Sequence, residues 1–302
     1  MDYTKQEMSI GQTWVGRNCS FLYRVLRNAD RDDCWGRAAE VGFTLMFALF
    51  TALILFVAIL SSVGANPDSF NSVLYFLGSF LPFEIYSLIR KEIIDLAQTP
   101  TKAIVTFGVA GTAWTLSNLM MILAKCFQQS YEVKETRSFW KLRLIASILA
   151  FAVALFMAIV LNLLVFGIQI ARFIEQTYGY ANTMALLIRV LRMPLAFLMT
   201  TILATLMYRV LPNVKETIWE VLPGALFFSI LWFLFNKGFG YYLTNFPHYN
   251  TTYGTLGAGL ILMIWMYLTA LSLLIGSEVN AELYRRKTVA NLTPDLSMQM
   301  VD

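Results

Sequence analysis

The stretch VGFTLMFALFTALILFVAILSSV, Val41 to Val63, contains no ionisable residue, and none follows it before Asp68. At about 1.5 Å of rise per residue, a helix of this length crosses the roughly 30 Å hydrocarbon core of a bilayer. Backbone N–H and C=O groups find no water there, so a helix, which pairs them within the segment, is the structure expected. The alternating ten-residue pattern of a transmembrane barrel occurs nowhere in the chain.

The rest of the chain repeats this pattern. Of its 302 residues 58% are hydrophobic and 14% charged, against roughly 45–50% apolar in ordinary soluble domains. Charges gather in clusters between apolar runs, giving six expected spans at about 41–63, 103–124, 144–171, 189–208, 221–243 and 253–277. The fourth is a run from Met193 to Tyr208, lengthened backwards through Arg189 and Arg192. The expectation is therefore an all-α polytopic membrane protein, with a six-helix domain over 41–283 and an unstructured tail over 284–302. Between spans 1 and 2, apolar residues recur every three or four positions from Phe70 to Leu96, broken by Pro82. Amphipathic external helices at about 69–98 that cap the bundle are expected there.

Residues 1–40, 125–143, 209–220 and the stretch after Ser277 hold sixteen of the 23 Lys and Arg, and the alternate segments hold seven. The positive-inside rule then places both termini in the cytoplasm. The net charge of +4 is accounted for by topology, with no nucleic-acid partner required. Segment 1–40 is too polar for a cleaved signal peptide. Within it Trp14, Phe21, Leu22, Val25 and Leu26 alternate at helical spacing with Arg17, Arg24, Arg27 and Arg31. Such a helix can lie on an anionic membrane surface or pack beneath the bundle. Cys19, Cys34 and Cys126 fall on the cytoplasmic side, where disulfides are not expected.

Catalytic constellations are missing from the sequence. His248 is the one histidine and has no Cys, Asp or Glu within twenty residues, which disfavours a nucleophile–base pair or a zinc site. There is no Walker A loop, and Gly254, Gly257 and Gly259 do not have dinucleotide-binding spacing. No cofactor and no metal are expected. His248 lies in FPHYNTTYGTLGAGL, Phe246 to Leu260, read as the short external loop before the sixth span, with its glycines letting that helix start tightly and pack closely.

In a membrane the informative polar residues are those at depth, because each is costly unless paired or hydrated. These are Glu40 entering the first span, Asn118, Asn162 and Gln169 within spans, Asn236 and Lys237 in the fifth, and Glu278 and Asn280 leaving the sixth. For each, the plain reading is snorkelling or a helix-to-helix hydrogen bond. Pro223 and Gly224 open the fifth span and are read either as a break beside a cavity or as an ordinary first-turn proline. Glu40, Asn118, Asn162, Pro223, Gly224, Glu278 and Asn280 are the candidates for transport or gating.

Several motifs together carry a resemblance. They are YRVLPN (Tyr208 to Asn213), LPGALFFSILW (Leu222 to Trp232), YGTLGAGLILMIWMYL (Tyr253 to Leu268) and LLIGSEVNAEL (Leu273 to Leu283). With AAEVGF (Ala38 to Phe43) and RSFWKLRL (Arg137 to Leu144), the chain resembles the YihY/BrkB family of bacterial inner-membrane proteins. The motif positions Tyr208, Pro212, Asn213, Gly224, Ala225, Trp232, Tyr253, Gly254, Gly257, Trp265 and Gly276 are structural on this resemblance. The chain departs from the family at Ala48 and Thr51, where the family often has Ser-x-x-Pro, and at Gln128, where many members have Asn. The resemblance implies a six-helix inner-membrane protein, and a ribonuclease name attached to the family finds no support in the residues. The expected function is transport of a lipid-like or amphipathic substrate without an ATPase of its own, with membrane lipids as partners. The alternatives are a scaffold or envelope assembly factor and, last, a membrane-embedded hydrolase.

Overall fold

The computed structural model describes residues 14–62, 90, 102–156, 181–245 and 249–298. Its helices are α1 (Trp14–Arg31), α2 (Cys34–Ser62), α3 (Lys102–Ser130), the described part of α4 (Phe139–Phe156), α5 (Ala181–Val210), α6 (Ile218–Asn245) and α7 (Tyr249–Met298). No strand occurs among the described residues. Apart from Arg90, the expected external helices at 69–98 lie outside them, as do Asn162, Gln169 and residues 246–248. Three of the described helices are long and apolar enough to cross a membrane, over Phe139–Phe156, Ile218–Tyr242 and Gly259–Val289, with a shorter apolar stretch at Pro194–Val210.

The organising element is α7, which packs against α1, α2, α3 and α6. Every residue from Ala270 to Glu282 is buried, as befits a helix surrounded on all sides. Around it α2 lies along α3, and α5 along α6. The outer helices are two-faced. On α4, Leu142, Ala146, Leu149 and Ala150 are buried, whereas Leu144, Ile148, Phe151 and Leu155 are exposed. Leu226, Ile230 and Leu234 form a similar exposed row on α6. An apolar outer row of this kind suits hydrocarbon, where apolar surface needs no cover. Trp35, Trp140 and Trp219 are exposed at the N-terminal ends of α2, α4 and α6, the positions interfacial tryptophans favour.

Local chemistry sets the helix ends. The α1–α2 turn places Asp33 at φ 52, a left-handed conformation that Asp tolerates better than most residues, and Gly36 N–H then donates to its Oδ1 at 3.3 Å. At the end of α3, Glu132 N–H donates to Gln129 O (2.9 Å) and Val133 N–H to Gln128 O (3.1 Å). That is a Schellman closure, and Glu132 occupies its left-handed position at φ 56. Pro212 stops α5, and Arg137 covers its last carbonyls, donating to Leu211 O at 2.7 Å. Thr217 and Glu220 begin α6, with Thr217 N–H donating to Glu220 Oε2 at 2.6 Å, one arm of a capping box.

Two sequence expectations change here. The tail was expected to be unstructured from 284, but α7 runs on as helix to Met298. That helix also begins at Tyr249, four residues before the expected start of the sixth span at 253, with Tyr253, Gly254 and Gly257 in its first turns. Gly276 and Gly224 show what close packing requires. A Cβ on Gly276 would stand 2.3 Å from Tyr208 Oη and 2.9 Å from Gly224 O, and one on Gly224 would stand 2.3 Å from Gly276 O. The backbones of α6 and α7 therefore touch, and Tyr208 of α5 seals the contact by donating from its hydroxyl to Leu273 O at 2.6 Å. Gly276→Ala is expected to cost about 1–3 kcal/mol through overpacking. Gly238→Ala, where a Cβ meets nothing within 4 Å, is expected not to destabilise. Thermal unfolding of the two variants in detergent checks the contrast.

Candidate functional site

Most polar groups at depth resolve into helix-to-helix hydrogen bonds. Thr51 and Thr115 share a hydroxyl contact of 2.9 Å between α2 and α3, as do Ser117 and Ser147 between α3 and α4 and Thr201 and Ser229 between α5 and α6. Further along α6 and α7 a four-membered lock closes on itself. Trp265 Nε1 donates to Asn236 Oδ1 at 2.8 Å, and Asn236 Nδ2 to Trp232 O at 2.7 Å. Trp232 Nε1 then donates to Thr269 Oγ1 at 3.1 Å, and Thr269 Oγ1 to Trp265 O at 2.9 Å.

Pro223 sits in the second turn of α6, not the first, and is exposed. It lacks an N–H and disturbs the turn before it. Beside it the side chain of Asn280 reaches in from α7: its Oδ1 accepts from Gly224 N–H at 2.7 Å and its Nδ2 donates to Val221 O at 3.0 Å. The break read from the sequence is thus filled by an amide from α7.

One cluster is not closed in this way. Where α1, α2, α3 and α7 converge, Glu278 is 0% exposed and Asp32 9%. Cys34 Sγ lies 3.8 Å from Glu278 Oε1, a weak donor contact. Arg285 Nη2 approaches Glu278 Oε2 at 3.9 Å, beyond hydrogen-bond length. Neither of those two atoms has a hydrogen-bond partner, and the buried hydroxyl of Ser277 has none either. Arg285 is held elsewhere, donating from Nη1 to Ser130 O at 2.8 Å and pairing with Glu282 at 3.5 Å and Glu132 at 3.6 Å. Arg31 pairs with Asp32 at 3.3 Å and with Glu132. Arg286 holds Glu282 at 3.0 Å, and Gln129 Nε2 donates to Asp32 O at 3.0 Å. Burial first, then the charge of Glu278, pushes the Cys34 thiol upward, so it stays a protonated donor.

A second polar layer ties the loops to the helix ends. Arg137 holds Glu135 with two guanidinium contacts of 2.8 Å, and Gln128 donates to the same carboxylate. Burial pushes the Glu135 carboxyl up, but the Arg137 contacts outweigh it and leave it below the ordinary carboxylate range. Lys287 reaches Glu220 and, with the Thr217 backbone and hydroxyl, draws that carboxyl down to about 2. Tyr131 donates its hydroxyl to Glu216 Oε2 at 2.6 Å. Burial drives the Glu216 carboxyl upward against that hydrogen bond.

The sequence candidates separate accordingly. Pro223, Gly224 and Asn280 form one contact, with Glu278 on the same helix as Asn280. Glu40 stands apart, exposed and paired with Arg37 at 3.3 Å, and Asn118 is exposed on α3. Tyr208, Gly224, Ala225 and Gly276 are buried core residues, Pro212 is buried at the end of α5, and Asn213 Nδ2 donates to Thr136 Oγ1 at 2.7 Å. Sequence reasoning missed Asp32, Cys34, Ser130, Glu132 and Arg285. The visible signal was the run Glu278, Glu282, Arg285, Arg286, whose three- and four-residue spacing forms a charged helix face.

The raised carboxyl of Glu216 gives a pH test. Its contribution to stability is complete below the ordinary Glu range and is lost as pH rises through its elevated range. Glu216→Gln cannot ionise and keeps an acceptor for Tyr131. Between about pH 4 and about pH 7, the melting temperature of the wild type is expected to fall relative to that of the variant; parallel curves would contradict the assignment. Glu135 and Glu220, held below the ordinary range, act in the opposite sense at lower pH and are common to both proteins.

A ribonuclease-like protein, YfkH of Bacillus subtilis, is 28% identical over 275 residues, covering 91% of this chain and 99% of that one. UPF0761 membrane protein XCC0860 of Xanthomonas campestris is 27% identical over 277 residues, or 87% of this chain and 60% of its own length. A UPF0761 membrane protein of Aeromonas salmonicida is 39% identical over 87 residues, 29% of this chain and 30% of that one. The chain therefore spans about 60% of the length of the Xanthomonas relative. No solved structure matches the chain. The family described as Virulence factor BrkB matches residues 25–298, and the chain belongs to that family of membrane proteins.

Proposed function

We propose that the protein is a six-span transport protein of the bacterial inner membrane, with both termini in the cytoplasm, that moves a lipid-like or amphipathic substrate without an ATPase of its own. The observation that carries this is Glu278. Its carboxylate is fully buried, and one of its oxygens is left without a hydrogen bond. An ionisable group at such depth is costly and marks function by default. It lies about two helical turns from Arg285 and about half a turn from Asn280 on the same helix, so movement of α7 against α1–α3 would alter its surroundings first. For orientation, the ends of α3 and α5 and the starts of α4 and α6 are tied together by Arg137, Tyr131 and Glu216. That arrangement suits alternating spans, with the basic loops on one side.

The relative named ribonuclease-like supplies the contrary expectation of an enzyme. We read this chain as not an enzyme, because its sequence offers no histidine–acid pair and no group able to hold catalytic metals at a phosphodiester. A scaffold reading is favoured by a different observation, the closed hydrogen-bond locks between α6 and α7, which suit a rigid platform.

Purified protein reconstituted in liposomes is expected to move fluorescent lipids or amphipathic solutes faster than empty vesicles, and Glu278→Gln to reduce that rate at least tenfold. No movement above empty vesicles with folded protein would overturn transport and leave the scaffold. Cleavage of RNA by a metal-supplemented preparation would overturn the non-enzymatic reading.

A further inference from the structure

We infer that Arg143, with Trp114 and Asn118 beside it, binds the headgroup of an anionic phospholipid on the outer surface between α3 and α4. Arg143 lies in the second turn of α4, inside the apolar run Phe139–Phe156 that is long enough to cross a membrane. Its neighbours on α3 fix where the charge is held. Cζ stands 4.3 Å from the centre of the Trp114 ring, and Nη1 stands 3.2 Å from Met121 Sδ. Met121 and Trp114 lie about 13 Å and about 24 Å along α3 from its end at Ser130. The guanidinium is therefore held within the helix pair and not at its end, where snorkelling would carry it.

No group among the described residues neutralises this charge. Arg143 belongs to none of their ion pairs, and its guanidinium meets a sulfur where an oxygen would be the stronger acceptor. The hydroxyls of Ser117 and Ser147 are engaged with each other at 2.9 Å, and Ser147 also donates to the Arg143 carbonyl at 2.8 Å. A thioether accepts weakly, and an aromatic face takes the flat side of a guanidinium while its N–H edge stays open. A cation left in this state at membrane depth is costly. An anion that brings two acceptor oxygens to the open edge removes the cost, and a phosphate matches the guanidinium fork in this way.

The surroundings select a lipid. Trp114 is 68% exposed, so the site opens outward from the bundle. Asn118 follows one turn later on the same face of α3, is exposed, and makes no hydrogen bond to a described residue. Its amide adds two N–H donors to the same surface. On α4, Leu144 and Ile148 are exposed just past Arg143 and offer an apolar wall to acyl chains. The headgroup is anionic because the site holds a single uncompensated positive charge. A zwitterionic headgroup would bring its own ammonium, and no described carboxylate stands within ion-pair distance of Arg143 to receive it. Basic positions between membrane helices take anionic headgroups by the same physics.

The test is native mass spectrometry of the full chain in detergent, titrated with equal amounts of phosphatidylglycerol and phosphatidylcholine of matched acyl chains. The wild type is expected to retain phosphatidylglycerol with about a tenfold preference, the scale of one hydrogen-bonded charge contact. Arg143→Gln should abolish that preference, and Arg143→Lys, which keeps the charge without the fork, should keep part of it. Lys141→Gln, which removes an exposed cation two residues earlier, should leave it unchanged. Asn118→Ala should weaken retention, and it decides the matter if Arg143→Gln does not fold, unchanged retention then counting against the site. An equal preference in the wild type and Arg143→Gln, or an equal loss in Lys141→Gln, would overturn the proposal. Displacement of the lipid by inorganic phosphate would show the ligand to be a soluble anion and overturn the lipid assignment. The site rests on the membrane-spanning reading of the chain and not on Glu278. A protein that retains the lipid yet moves none refutes transport alone, and one that moves lipid with no headgroup preference refutes this site alone.

Discussion

The backbone contact between α6 and α7 is the constraint on which the remaining arrangement depends. It exists because Gly224 and Gly276 have no side chains to hold the helices apart, and because Asn280 answers the polar groups around Pro223 that close approach would otherwise strand. In hydrocarbon no hydrophobic effect draws helices together, so association relies on packing and interhelical hydrogen bonds. Both are concentrated at this crossing. With α6 fixed to it, α7 remains central, and α1, α2 and α3 are left to cover its other faces.

That centrality explains the placement of the charged cluster. The face of α7 carrying Glu278, Glu282 and Arg285 meets the end of α3, the end of α1 and the start of α2. Helix termini expose unsatisfied backbone groups, and Arg285 serves one of them by donating to Ser130 O. Glu132 shows the same coupling in reverse. It holds the left-handed position that closes α3, where glycine is the usual occupant, and its carboxylate there receives Arg31 and Arg285. A glycine would ease the backbone and remove the charge that joins α1 to α7.

What could be read from the sequence follows from range. Apolar runs are local, so α2, α3, α5 and α6 appeared close to their observed places, and the amphipathic spacing of Phe21 and Val25 foretold α1. Its buried side proved to be Val25 and Ala29, with Leu22 and Leu26 left exposed. The continuation of α7 past residue 284 was not legible, because that stretch has no periodic apolar face and its first exposed turns are held by ion pairs from Arg286 and Lys287. Pairings across the chain were not legible either. Cys34 and Glu278 are 244 positions apart, and no spacing rule links them. Glu278 and Asn280 attracted notice as polar residues at depth, yet only the packing separates their roles: the amide is satisfied on both ends, and the carboxylate is not.

The difference between those two neighbours matters more than the number of polar groups in the bundle. Had every polar residue been closed as Asn280 is, the helices would form a dry, rigid assembly, and a scaffold would explain all of it. Breaking such contacts leaves buried donors and acceptors unpaired at roughly 1–3 kcal/mol each, which resists movement. The Glu278 end has no such penalty to defend. Its Oε2 is already unpaired, its nearest arginine is engaged elsewhere, and its Oε1 meets the Cys34 thiol at 3.8 Å. The α6–α7 pair is therefore the stiff part of the molecule, and the α1–α2 turn against α7 is the part whose contacts can be exchanged at least cost.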